Sequence, residues 1–267
     1  MDQIELEREV IEREFRMRES RMRDYNHYHF TRKEIIQYLL QGILFIILIG
    51  YLFYQHIIGI ILLLPLLYLY LKRKQQSLRM EQRWKLNLEF RDGILALSAA
   101  LEAGYSAENA LDEARRDLSR IYLEENMIMQ EFNYMSNQIR MNMTVEKALR
   151  ELAIRSGIED IKSFSEVFST AKRTGGDLIH VIKLTAGIIN DKIEVKREII
   201  TLITAKRFEA NIMKGIPLFI LIYLSVSSPG FLSPLYHNTF GVIAMTLLLL
   251  CYLGAFLMID RIVAIEV

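Results

Sequence analysis

Residues 35–71 read IIQYLLQGILFIILIGYLFYQHIIGIILLLPLLYLYL and contain no Asp, Glu, Lys or Arg. A transmembrane helix needs about 20 apolar residues, so this uncharged stretch is long enough for two crossings. One straight helix of this length would measure roughly 55 Å, far more than a hydrocarbon core of about 30 Å. We therefore predict a hairpin, with spans at 35–53 and 57–71 and a turn at 54–56.

A second uncharged stretch, residues 215–259, lies near the C-terminal end of the sequence. It predicts two further spans, at 212–228 and 240–259. Two prolines and a glycine within 229–234 break the segment between them. Lys214 lies at the start of the third span, where its long side chain can reach the membrane surface.

The basic residues set the expected orientation of these four spans. Segment 1–34 holds 8 Lys and Arg, segment 72–214 holds 24, and the turns at 54–56 and 229–239 hold none. The positive-inside rule then places the N-terminus, the middle segment and the C-terminus in the cytoplasm. The predicted segments are a charged N-terminal helix (1–34), a first hairpin (35–71), a cytoplasmic helical domain (72–211), a second hairpin (212–260) and a short tail (261–267).

The middle of the chain has the periodicity of helices from residue 84 to residue 211 and contains no Pro there. Apolar residues recur at steps of three and four without the alternation typical of strands. We predict an all-α fold in which six helices form an antiparallel bundle. The sixth helix has no breaker before Pro217, so it can continue into the third span. The turn and cap residues between helices are Gly104, Ser106, Thr144, Gly157, Gly175 and Gly176.

The N-terminal segment is charged almost throughout, with Arg and Glu alternating. Ile4, Ile11, Phe15 and Met22 give it a weak apolar stripe. We interpret it as a helix at the membrane face or a coil that binds a partner. The simpler alternative is a solvated charged helix.

The composition excludes several classes of protein. Of the 267 residues, 52% are hydrophobic and only 4 are Pro, so the chain is not disordered. The 33 basic and 32 acidic residues give a net charge of +1, which argues against nucleic-acid binding. A single cysteine, Cys251, excludes an internal disulfide and a cysteine-rich zinc site.

The sequence contains no arrangement of residues that predicts catalysis, a cofactor or a metal. No Gly is followed by Lys, so the phosphate-binding loop of ATPases is absent. The five His have no ligand spacing supported by carboxylates. The predicted spans lack the internal ionisable groups that proton and ion pathways need. We expect a protein that is not an enzyme.

Charged clusters in the middle segment are best interpreted as solvated surface. Glu124, Glu125 and Glu131 form an acidic patch on the third predicted helix. Basic patches lie at 172–173 and 206–207.

Three turn segments resemble the characteristic turns of the type II secretion F domain. Residues 101–111, LEAGYSAENAL, resemble its "LxAGxSxxxAL" turn, and residues 143–149, MTVEKAL, resemble its middle "sLxeAL" turn. Residues 168–178, FSTAKRTGGDL, resemble its Gly-rich turn followed by an apolar helix. The similarity covers about 85–215 and the C-terminal hairpin. With one such domain between two hairpins, the chain resembles the tight-adherence (Tad) branch of the family, with its paired TadB-like and TadC-like proteins.

The resemblance implies a platform protein in the bacterial cytoplasmic (inner) membrane, part of a type IV pilus-like assembly or secretion machine. Its partners would be a hexameric secretion ATPase, pilin subunits, the lipid bilayer, and a second platform protein or another copy of itself. ATPase contacts could come from Glu124, Glu125, Arg173 or Lys206. The alternative function is the membrane permease subunit of an ATP-driven transporter.

Overall fold

The computed structural model describes residues 22–28, 30–174, 177–236 and 238–263. Within these ranges the chain forms nine helices and no strand, which confirms the all-α class. The predicted helix at the N-terminus falls almost wholly outside the described residues. The helices are α1 (Arg32–Tyr54), α2 (Ile57–Glu102), α3 (Ala107–Leu118), α4 (Met127–Arg140), α5 (Val145–Ser156), α6 (Glu159–Thr174), α7 (Leu178–Ser227), α8 (Pro229–Tyr236) and α9 (Thr239–Val263).

The chain divides into two compact units, and two long helices contribute to both. Among the described residues, the first unit comprises 22–28 and 78–189, and the second comprises 30–77 and 190–263. Helix α2 has 46 residues and α7 has 50, so each would be about 70 Å or more in length. The predicted boundary at residue 72 therefore falls inside one continuous helix, because no breaker follows the first apolar hairpin.

The first unit contains the end of α2, the whole of α3 to α6 and the beginning of α7. Its helices bury the apolar faces that the spacing of three and four residues predicts. The buried positions include Ala107, Ala110, Leu111, Ala114 and Leu118 on α3 and Val145, Ala148, Leu149 and Leu152 on α5. These six helical stretches follow the predicted order, and their antiparallel arrangement as one bundle stays a prediction.

Aromatic side chains fill the centre of this unit. Phe90 on α2 meets Phe164 on α6 edge to face, with ring centroids 5.6 Å apart. Phe168 lies one turn further along α6 and is also fully buried. Phe132 on α4 closes against Gly93, where an added Cβ would overlap its ring. A glycine is needed here because the aromatic ring approaches the backbone of α2 directly.

The second unit contains α1, α8, α9 and the remaining parts of α2 and α7. The turn between α1 and α2 lies at the predicted position, and Gln55 adopts the left-handed conformation there (φ 45°). Helix α7 ends at Ser227, just before the predicted break at 229–234, but this segment is itself part of the short helix α8. A proline at the first helical position is compatible with a helix start, which explains this difference. The buried apolar cluster comprises Ile46, Ile49, Leu52, Phe53, Leu63, Leu218, Met245 and Leu249.

Three described helices are long and apolar enough to cross a membrane. These are Arg32–Tyr54, Leu178–Ser227 and Thr239–Ile262, whose most apolar 18-residue stretches have mean hydropathies of 2.1, 1.5 and 2.6. The remaining apolar run, 57–71 in α2, is not among them, because three basic residues follow only 15 uncharged ones. The four-span arrangement therefore stays a prediction. Helix α7 does continue from the first unit through Pro217 into its apolar segment.

Candidate functional site

The residues at the predicted turns begin and end helices of the first unit. Ser106 is the N-cap of α3, and its Oγ accepts a hydrogen bond from the Asn109 N–H at 3.4 Å. Thr144 is the N-cap of α5, and its Oγ1 accepts one from the Lys147 N–H at 3.4 Å. Both satisfy amide groups that a helix start leaves without an intrahelical partner.

Two glycines at the turns have a positive φ, which side chains with a Cβ rarely adopt. Gly104 (φ 92°) follows α2, and Gly157 (φ 58°) is the C-cap of α5. A Cβ on Gly157 would also collide with the side chains of Asn26 and Arg83. Gly175 and Gly176, predicted to form the third turn, lie outside the described residues.

The three turn segments that carry the resemblance meet at one ammonium group. Lys172 Nζ, from the third segment, lies 3.1 Å from Glu108 Oε1 in the first and 3.2 Å from Glu146 Oε2 in the second. The cation thereby joins the starts of α3 and α5 to the end of α6. We call Glu108, Glu146 and Lys172 the Lys172 cluster.

The protonation of this cluster follows from its contacts. Burial of the ammonium disfavours its charged form, but the hydrogen bonds to both glutamates outweigh this and raise the pKa of Lys172. A hydrogen bond from its own backbone N–H, and then the one from Lys172, lower the pKa of Glu108. Glu108 and Lys172 are therefore charged at neutral pH, and the Lys172 cluster joins three helix ends.

The segment 22–28 is bound to the rest of the first unit through Tyr25, which is only 1% exposed. Tyr25 donates its hydroxyl to Glu131 Oε1 at 3.0 Å and its N–H to the Arg155 carbonyl at 3.1 Å. Arg83 Nε donates to the Tyr25 carbonyl at 3.1 Å, and Asn26 bonds to the end of α5. Sequence reasoning missed this anchor. Its only signal was a large aromatic residue at the end of a charged segment.

Beneath Tyr25 lies a buried ion pair that corrects one prediction. Glu131 was predicted as part of an acidic surface patch, but its side chain is 0% exposed in the protein. Two guanidinium nitrogens of Arg155 lie 2.9 and 2.5 Å from its two carboxylate oxygens. Burial and then the charge of Glu131 raise the pKa of Tyr25, so the hydroxyl stays protonated and donates to the carboxylate.

A second buried carboxylate caps the N-terminus of α4. Glu89 is 3% exposed, and its Oε2 accepts the Ile128 N–H at 3.0 Å. Asn126, the N-cap residue, makes no cap hydrogen bond with its own side chain and instead donates to Glu89 at 3.4 Å. A negative charge at a helix start interacts favourably with the helix dipole, which accounts for this carboxylate in the interior.

Of the residues predicted to contact an ATPase, the three in the first unit do not all lie together. Glu124 and Glu125 are exposed between α3 and α4, where Glu124 accepts a hydrogen bond from Asn133. Arg173 is exposed on the last turn of α6, next to the Lys172 cluster at the other end of α3. Helix α3 has 12 residues, so the two ends lie about 18 Å apart. Lys206 belongs to the second unit and pairs with Glu209 at 3.1 Å.

The described residues contain no group of three or more His, Cys, Asp or Glu that could hold a metal ion. A shallow groove of about 450 Å³ lies in the first unit, where Arg23, Lys85, Leu123 and Glu125 are among its lining residues. Its lining carries both positive and negative side chains. The notable arrangement of the first unit is thus a set of helix ends joined by ion pairs.

Comparison with known families agrees with this arrangement. Residues 94–226 match the model of the family described as "Type II secretion system (T2SS), protein F". No curated protein and no solved structure matches the chain. The matched range contains all three turn segments and most of α7, including its apolar part. The chain therefore carries a T2SSF domain.

Proposed function

We propose that the chain is a non-enzymatic platform protein of a type IV pilus-like machine, of the Tad class, in the cytoplasmic membrane. The T2SSF domain supports a platform role, and the apolar helices support a membrane location. In this role the chain couples a cytoplasmic hexameric ATPase to the insertion of pilin subunits into a filament. A second platform protein, or another copy of the chain, completes the assembly.

The observation that carries the proposal is the continuity of α7. This helix begins directly after the third turn segment and includes an apolar segment long enough to cross a membrane. The family match ends at residue 226, one residue before the helix does. A displacement of the turn segments can therefore reach the membrane along one continuous helix, without a flexible linker.

We further propose four spans, with both termini and the first unit in the cytoplasm. Contacts in the second unit support this number, because they join the ends of all four apolar runs. Lys74 Nζ lies 5.0 Å from the centre of the Tyr38 ring, which links α2 to α1. Arg73 and Lys214 both contact Asp260, which links α2 and α7 to α9.

Contacts at the opposite ends of these helices support the same topology. Tyr236 donates its hydroxyl to the Leu52 carbonyl at 2.7 Å, and Tyr54 bonds to Thr246 at 3.2 Å. From Thr246 to Asp260 the helix rises about 21 Å, which is most of a hydrocarbon core of about 30 Å. The second apolar run, 57–71, lies beside α1, with Ile60 next to Gly50 and Leu67 next to Gly42, although it is short.

Cysteine labelling in whole cells tests this topology. In a Cys251→Ser background, we expect His56→Cys to react with an impermeant maleimide from outside the cytoplasmic membrane. Glu166→Cys, which is exposed on α6, should react only after the membrane is opened. If 57–71 did not cross, the first unit would lie outside, and labelling of Glu166→Cys in sealed cells would exclude four spans.

For the ATPase we propose contact at the Lys172 end of the first unit. There the ends of α3, α5 and α6 are joined, so a force on this surface acts on three helices together. The exposed Arg173 lies beside the cluster and offers a cation to an acidic partner surface. Charges at an interface rim mainly govern the rate of association.

Affinity capture from the native cell tests the proposed partners. The full chain in mild detergent should recover an ATPase with a phosphate-binding loop and a pilin-like protein. Arg173→Glu should lower recovery of the ATPase several-fold, whereas Lys162→Glu on the same helix should not. Equal recovery with Arg173→Glu, but loss with Glu125→Lys, would place the contact at the other end of α3. Recovery of no ATPase would contradict the coupling role.

A further inference from the structure

The cytoplasmic ends proposed for the membrane helices carry a dense group of cations. We call this group the basic collar; it comprises Arg32, Lys33, Lys72, Arg73, Lys74, Lys214 and Arg261. Two carboxylates, Glu34 and Asp260, lie within the same short stretches. Seven positive and two negative charges leave an excess of five positive charges.

The collar is assembled by contacts between helices of the second unit. Lys74 lies over the Tyr38 ring, and the two neighbouring helices α7 and α9 join through Lys214 and Asp260. Tyr252 strengthens this junction by donating its hydroxyl to the Lys214 carbonyl at 2.8 Å. Cations from separate parts of the sequence therefore lie around one set of helix ends.

The two carboxylates are already engaged by other groups. Asp260 faces two cations at once, since Arg73 lies 3.7 Å from the oxygen that Lys214 does not contact. Glu34 accepts the Thr31 N–H at 2.9 Å in the capping box of α1. One negative charge at Asp260 cannot balance two neighbouring positive charges, so the collar attracts further anions.

The position of the collar on the helices indicates the source of those anions. The two uncharged stretches begin at residues 35 and 215 and finish at residues 71 and 259. Each of these four positions lies within two residues of a cation of the collar. Lys72 and Arg73 are exposed, and Tyr38 and Tyr70 provide aromatic rings of the kind found at membrane interfaces. Cations at this depth lie at the level of the phosphate groups of the lipids.

We propose that the basic collar binds the phosphate headgroups of anionic phospholipids and selects them over zwitterionic lipids. The collar then fixes the depth of the four helix ends and retains a shell of anionic lipid around them. This inference goes beyond the platform role and does not depend on the identity of the ATPase or the filament.

Native mass spectrometry of the full chain in neutral detergent can test this proposal. The probes are phosphatidylglycerol, phosphatidylcholine of equal chain length, and inorganic phosphate. We expect phosphatidylglycerol to be retained at least tenfold more strongly than phosphatidylcholine. Millimolar inorganic phosphate should not displace it, because the free ion lacks acyl chains to hold it beside the apolar helices.

The double variant K72Q/K74Q should lose about fivefold in phosphatidylglycerol affinity per lysine, which corresponds to roughly 1 kcal/mol for each basic residue at an anionic surface. The matched control K147Q/K162Q removes the same charge from the first unit and should bind as the unmodified chain does. Asp260→Asn tests the opposite direction, since it raises the positive excess and should increase retention.

Four results would overturn the proposal. Equal retention of the two lipids would exclude selection by charge. Unchanged affinity in K72Q/K74Q would exclude the collar, and a weaker affinity in Asp260→Asn would exclude the charge argument. Displacement of the lipid by inorganic phosphate would assign the site to the free ion. Because lipid retention is measured without filaments, its failure would be distinct from failure of the platform role.

Discussion

Replacing Tyr25 by Ala should release the segment 22–28 from the helices of the first unit. The ring is 1% exposed, and its hydroxyl lies 3.0 Å from Glu131. Truncation of a buried large aromatic side chain to Ala costs about 3–5 kcal/mol. Tyr25 is the only buried residue among 22–28, and the other contacts of the segment are hydrogen bonds, so the loss should appear as local opening rather than as unfolding of the whole unit.

Hydrogen–deuterium exchange on the full chain measures this opening at the Tyr25 amide, which bonds to the Arg155 carbonyl. Each 1.4 kcal/mol changes an equilibrium constant tenfold, so 3 kcal/mol or more should speed local exchange by about 100-fold or more. Tyr25→Phe keeps the ring and loses one hydrogen bond, worth about 1 kcal/mol, and should speed exchange about fivefold. Tyr105→Ala, at an exposed tyrosine, is the control.

Exchange in Tyr25→Ala within threefold of the unmodified chain would refute this reasoning. It would mean that the backbone contacts of the segment suffice without the buried ring.

Three further predictions concern the first unit and use the full chain in detergent. Gly157→Ala, at φ 58° and with a collision at its Cβ, should lower the free energy of unfolding by about 1–2 kcal/mol. The control Gly187→Ala, at a helical site with open space, should raise the free energy of unfolding by up to about 1 kcal/mol. The reverse order of the two melting temperatures would contradict the structure. Glu131→Gln leaves the Arg155 side chain, which is 16% exposed, with Glu151 at 3.7 Å as its remaining carboxylate partner, and should lower the free energy of unfolding by about 3 kcal/mol. The loss is measured as faster proteolysis, and an unchanged rate would show that the Glu131 ion pair is dispensable. The folded pKa of Glu108 is lowered, so its charged form stabilises the fold above its ordinary pKa of 4.5, and this stabilisation is lost as the pH falls through the folded pKa. Lys172→Gln should therefore lower the melting temperature at pH 7 by more than it does below pH 4. An equal lowering at both pH values would count against the Glu108–Lys172 pair.

The sequence predicted the local features of the first unit well, because they depend on neighbouring residues. Capping by Ser106 and Thr144 requires only a short polar side chain before an apolar periodic run. The faces of α3 and α5 follow from helical spacing alone. The left-handed conformation at Gly157 is likewise a local consequence of ending a helix with glycine.

Features that depend on distant residues could not be predicted in the same way. Glu131 looked like a surface residue because glutamate is almost never fully buried unless it is paired, and its partner Arg155 lies on another helix. The anchoring of Tyr25 joins residues 106 positions apart. The turn segments were each predicted as turns, but their meeting at Lys172 depends on how the helices pack.

The number of spans illustrates the same difference on a larger scale. The uncharged runs 35–53 and 240–259 each lie within a helix that is long and apolar enough to cross a membrane. The run 57–71 is too short to decide by length, and its packing in the structure, such as that of Leu63 in the buried apolar cluster, involves residues of other helices. Contacts between side chains on different helices are not encoded in hydropathy.

The most direct test of the platform role is deletion of the gene in its native cell, followed by electron microscopy of surface filaments and assay of secreted proteins. The account predicts that filaments or secretion are lost and return with the unmodified gene. It further predicts that Lys172→Glu, which would repel Glu108 and Glu146, restores them poorly, although the protein reaches the membrane in normal amount. Filaments and secretion that persist unchanged after deletion would contradict the account.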